Sequence, residues 1–188
     1  MLSTVPSIAE LRLQAYLVVA TIVVHGLTMV LNELFFVRAE FLQGIGWVYI
    51  PAGTRLICAL LFGSAGAVGL LMAGWAACYW YYFPGDATRA VVGAIAGAAG
   101  PYLVYWIYRW KYGTRPLLSS LSLEKLLICS TGCAFMSPAL HHIWFMLERH
   151  DEVILSFFVM FVGDLAGTLI VLLVAKTLLP RVRAQDFA

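Results

Sequence analysis

From Val153 to Ala175 the chain carries no charge except Asp164, and a helix over that run is long enough to cross a bilayer. A carboxylate near the middle of such a run is costly unless it is paired, protonated or facing water, which makes Asp164 a functional-site hypothesis by default. Its neighbours Gly163 and Gly167 would let a second backbone or a ligand come close. The run has company: apolar segments follow one another along the whole chain with only short breaks. Of 188 residues, 62% are hydrophobic and 12% charged, more apolar surface than a soluble domain of this length could hide. At about 20 residues per helical crossing the length allows about six spans. The short alternating segments of a β-barrel are missing. The expectation is an all-α, polytopic transmembrane helical bundle forming one domain over 1–188, with spans near 13–37, 47–62, 65–83, 88–110, 121–147 and 153–178.

Local signals refine that layout. Pro51-Ala52-Gly53 opens the short second span, where proline suits a first helical turn. Gly63-Ser64 marks a tight break before the third. Glycines at 66, 69 and 74, and at 93, 97 and 100, form small-residue faces suited to close helix packing. Pro101 and Pro138 should kink the fourth and fifth spans and free carbonyls there. The first span holds His25, Asn32 and Glu33 and has no cleavage site after it, so it reads as a retained helix. Arg109, Lys111, Arg115 and Lys125 surround one loop, and Lys176, Arg181 and Arg183 follow the last span. Arg38, Arg89 and Arg149 lie on the other side with acids beside them: Glu40, Asp86, Glu148, Asp151 and Glu152. By the positive-inside rule both termini are cytoplasmic. Trp75, Tyr79, Trp80, Tyr81, Tyr82, Trp106, Trp110 and Tyr112 read as interfacial belts. A net charge of +2 argues against nucleic-acid partners. Cys58, Cys78, Cys129 and Cys133 lie in apolar segments and read as small packing residues rather than a disulfide framework or a zinc site.

The ionisable residues cluster by depth. At about 1.5 Å of rise per residue, Glu33, Arg55, His141, His142, His25 and Asp164 all fall between the outer interface and the midplane. Glu33 and Arg55, at similar depth, suggest a structural ion pair. His141 and His142 are about 100° apart on a helix, so at most one of them is expected to face the core. Arg55 could hold a carboxylate or phosphate through the fork of its guanidinium. Asp164 with a histidine could bind a cationic or hydrogen-bonding solute, or exchange a proton. His25 with His141 or His142 could ligate a haem, although the repeated histidine pairs usual in such sites are missing. No nucleophile–base motif or metal cluster stands out, so no enzyme is expected, and no cofactor.

Two segments carry a family resemblance. Pro51-Ala52-Gly53-Thr54-Arg55-Leu56, running into Ala59-Leu60-Leu61-Phe62-Gly63, resembles the early segment of the first membrane-associated sensor family, MASE-one. Gly163-Asp164-Leu165-Ala166-Gly167, followed by Val171-Leu172-Leu173, resembles its last-helix segment. The resemblance implies an integral sensory module of the bacterial cytoplasmic membrane that signals through a cytoplasmic or membrane partner, with Pro51, Gly53, Arg55, Gly163, Asp164 and Gly167 as the matching positions. Family members usually precede histidine-kinase or diguanylate-cyclase domains, whereas this sequence ends soon after its last span. It would therefore act through a partner or as one piece of a longer protein. A looser architectural likeness to the substrate-binding subunits of vitamin-uptake systems keeps solute binding or transport open. So does a structural role in a larger membrane complex or homo-oligomer.

Overall fold

The computed structural model describes residues 7–42, 44–113, 122–148 and 153–178. Arg115, Arg149, Asp151, Glu152, Arg181 and Arg183, used above for orientation, lie outside the described residues. Six α-helices dominate: α1 (Ile8–Phe36), α2 (Pro51–Phe62), α3 (Ser64–Ala77), α4 (Ala87–Tyr112), α5 (Leu123–Leu147) and α6 (Val153–Leu178). Local chemistry sets their ends. Ser7 and Glu10 form a reciprocal capping box at the start of α1, and Asp86 accepts the Arg89 N–H at the start of α4. Between α2 and α3 the chain turns on Gly63 alone, at φ 59°, a conformation that a side chain would strain.

Four helices, α1, α4, α5 and α6, are long and apolar enough to cross a membrane, which is compatible with a membrane protein. Their outward faces are apolar, with Val19, Val23 and Leu27 of α1 and Ile154 and Leu173 of α6 all exposed. The other two expected spans differ from uniform helices. The segment expected at 47–62 is helical only from Pro51; before it, residues 47–50 form no helix. Ahead of these lies a small antiparallel pair, β1 (Glu40–Leu42) with β2 (Ile45–Gly46), that the sequence reading did not anticipate. The third expected span is α3 followed by a π-helical turn, Cys78–Tyr82.

The shortest helix takes the centre. α2 packs against each of the other five helices, while α3, α4, α5 and α6 follow one another side by side and α1 leans on α2 and α3. Nine of the twelve residues of α2 are buried. Its lower turns form the main apolar core: Leu56, Ala59 and Leu60 meet Tyr105 and Tyr108 of α4 and Cys133 of α5. The upper turns, Thr54 and Arg55, are polar. Central placement of α2 therefore carries these polar groups into the interior, where only other side chains and backbone can satisfy them.

Candidate functional site

The two segments noted in the sequence, Pro51–Gly53 and Gly163–Gly167, meet in space. Residues 46–50 run along the middle of α6, and a Cβ at Gly163 would collide with the Gly46 carbonyl, one at Gly167 with the Tyr49 carbonyl. A Cβ at Gly53 would lie 2.8 Å from Val171 Cγ2. Only glycine permits this approach of backbone to backbone. The non-helical stretch must find partners for its amides, and it does so through tertiary contacts. The Trp47 N–H donates to the Ala39 carbonyl at 2.9 Å and the Tyr49 N–H to the Gly163 carbonyl at 3.0 Å. Asn32 of α1 takes the next amide, accepting from the Ile50 N–H at 3.0 Å. The glycines of the last helix thus form a seat for the entry to α2.

That seat delivers Arg55 to the centre of the bundle. It is 9% exposed; its Nη2 donates to the Tyr49 hydroxyl at 3.0 Å, and its guanidinium carbon sits 5.0 Å from the Tyr49 ring centroid. The Nη1 group is buried with no hydrogen-bond partner. Gly97 lies against it: a Cβ there would sit 3.4 Å from the guanidinium carbon, in van der Waals contact. The expected Glu33–Arg55 ion pair does not form. Glu33 instead accepts hydrogen bonds from the Tyr81 and Tyr82 hydroxyls, at 2.9 and 3.1 Å. The physical reason is the π-helical turn, which places consecutive tyrosines within reach of one carboxylate on the neighbouring α1.

Asp164 is 1% exposed, and neither of its oxygens has a hydrogen-bond partner. The Ser137 hydroxyl faces it without closing a hydrogen bond of proper geometry, and Thr168, one turn along α6, is buried and unpartnered too. Arg55 is its opposite charge in the interior, felt through space rather than through a direct contact. The sequence reading put both residues in one polar centre. The structure brings them to one interior but on different surfaces: Arg55 lines a cavity, and Asp164 does not.

Both histidines of α5 turn inward, correcting the expectation that only one would. His141 lines the cavity, with Nδ1 donating to the Ser137 carbonyl at 2.8 Å. His142 faces α6: its Nδ1 donates to the Pro138 carbonyl at 2.8 Å, and its Nε2 lies 2.9 Å from Ser156 Oγ. A 100° step still turns both inward, with His142 buried and His141 half-buried, because neighbours cover α5 on two sides, α4 and α6. His25 also lines the cavity, with Nδ1 3.3 Å from Thr54 Oγ1, itself 3.0 Å from Thr28 Oγ1.

The cavity has a volume of about 70 Å³. Gly44 and Ile45 of the hairpin cover it, and Arg55, Tyr49, His25, His141, Tyr82 and Trp144 supply its polar wall. At its rim Arg89 pairs with Glu148 at 3.3 Å and lies 5.2 Å from the Phe83 ring centroid. Trp144 Nε1 is buried and unpartnered. This volume is far below the few hundred Å³ of ordinary cofactor pockets, so a haem between His25 and His141 does not fit. His142, turned to Ser156, is not on the wall. Among the described residues no group of three or more His, Cys, Asp or Glu side chains is placed to hold a metal ion.

Sequence reasoning missed Tyr49, Tyr82, Arg89 and Trp144. Tyr82 reads in the sequence as part of an interfacial belt, yet it is 7% exposed. No apolar periodicity announces a π-helical turn, so its inward rotation leaves no mark in the sequence. Set beside family models, curated proteins and solved structures, the chain shows no match to any of them.

Proposed function

We propose that this chain is a membrane-embedded sensory or regulatory module that takes a small solute in the cavity at Arg55 and passes the event to α6. The observation that carries this reading is mechanical. Arg55, which lines the cavity and has one nitrogen buried without a hydrogen-bond partner, stands on the helix whose entry is interlocked with Gly163 and Gly167 of α6. A solute that completes the hydrogen bonding of Arg55 favours one seating of α2 over another, and α6 feels that choice through glycine contacts that tolerate little slack. Such a shift requires differential affinity for the two packings, which a buried donor without a partner supplies. The bundle crosses the bilayer about six times, with residues 46–62 forming a broken crossing and both termini cytoplasmic. On the resemblance to MASE-one, its site is the bacterial cytoplasmic membrane and its partner a signalling protein met at the cytoplasmic end of α6. The test is the output of a kinase or cyclase encoded beside the gene in its native host. Arg55→Gln should abolish the output's response to solute, and an unchanged response would refute the sensory role.

One observation favours a second reading, solute transport. Non-helical backbone entering the bundle beside α6, followed by a short helix, resembles the discontinuous helices that line transporter sites. Solute accumulation in proteoliposomes holding the purified chain alone would select this reading over the first.

A further inference from the structure

The wall of the cavity has a definite chemical sign. Among the described residues its charged side chains are Arg55 and Arg89, and no carboxylate lines it. The acids nearby are engaged elsewhere: Glu33 by two tyrosine hydroxyls and Glu148 by Arg89. Asp164 lies behind the wall and makes no contact that would close the Arg55 fork. The two buried, unpartnered polar atoms on the wall, Arg55 Nη1 and Trp144 Nε1, can only donate. Neither can be satisfied by the other, so whatever completes them must accept.

We infer that the cavity binds a small anion, a carboxylate or compact oxyanion, with Arg55 Nη1 as its charge-assisted donor and Trp144 Nε1 as a second donor. The inference rests on the cavity reading proposed above and gives it a ligand class. A neutral carbonyl would satisfy the N–H groups but would forgo the interaction with a guanidinium charge, which is strong where water is excluded. Because Nη2 is already committed to the Tyr49 hydroxyl at 3.0 Å, the anion approaches the remaining nitrogen rather than spanning the fork. Size narrows the class. A cavity of about 70 Å³, well below the few hundred Å³ of ordinary ligand pockets, suits a small anion rather than a nucleotide or a glycerol-bearing headgroup. Gly97 lies beside the guanidinium, and a methyl there would meet it at 3.4–3.6 Å, in van der Waals contact.

The test is thermal unfolding of the full chain in phosphatidylcholine nanodiscs, titrated at constant ionic strength with gluconate as the bulky balancing anion. Formate, acetate and nitrate should raise the melting temperature saturably, while acetamide and guanidinium should not. Arg55→Gln should weaken the anion effect at least about tenfold, a loss of about 1.4 kcal/mol of binding. Should that variant fail to fold, Trp144→Phe keeps the question open to decision: it leaves the buried charge in place and should weaken acetate measurably. Acetamide matching acetate, or an anion effect unchanged in the variants that fold, overturns the anion assignment and leaves a solute cavity of another class. If no solute of any class shifts the transition, the anion assignment and the cavity reading fall together.

Discussion

At the scale of the residue, the charge that stands out in the sequence is not the one on the cavity wall. Asp164 interrupts the most apolar of the long helices, yet it does not line the cavity, and Arg55, in a short and unremarkable span, does. A linear sequence displays how unusual a charge is in its own run but not which surface it faces. The two residues should therefore separate by experiment. Asp164→Asn preserves shape and should change cavity affinity by less than about threefold, below 1 kcal/mol, because it touches no solute. Arg55→Gln is expected to lose binding in the same titration. An equal loss in both variants would place Asp164 in the binding site after all. Glu33 carries a similar lesson: its depth matched Arg55, but depth alone does not choose a partner, and the tyrosines of the π-helical turn took it.

Among elements, the critical joint is the entry to α2. Residues 46–50 have no helix of their own to satisfy their amides, so distant groups do it: the Gly163 carbonyl for Tyr49 and the Asn32 side chain for Ile50. Asn32→Ala should leave the part-buried Ile50 N–H without its acceptor, lowering stability by about 1 kcal/mol. Unfolding in mixed detergent micelles would read that loss, and full stability would mean that another acceptor replaces Asn32. Gly167→Val drives a branched side chain into the Tyr49 backbone, which cannot move aside as a flexible side chain would. Its cost should reach about 3 kcal/mol, the upper end for overpacking, and exceed that of Gly97→Ala. The small-residue faces were legible in the sequence as packing surfaces. What each glycine meets was not: Gly66 meets the Cys58 carbonyl, whereas Gly97 lies beside a guanidinium.

For the whole molecule, the pattern of apolar segments implied a helical bundle, and the helices are there, four of them long enough to cross a bilayer. The proposed topology makes a direct prediction. On intact cells, an impermeant thiol reagent should label Arg38→Cys, at the end where α1 stops, but reach Lys111→Cys only after permeabilisation. Labelling of both from outside would reject the orientation. The sequence by itself determined the helical class, most helix ends and the small-residue contact faces, because hydropathy, capping residues and glycines act within a turn or two of where they stand. Only the tertiary structure decided that the shortest helix is central, that the chain ahead of it enters non-helical on a glycine seat, and that Arg55 rather than Asp164 faces the cavity. Those outcomes depend on which backbones can approach and which buried polar groups find partners across the bundle, and neither is a property of any one segment.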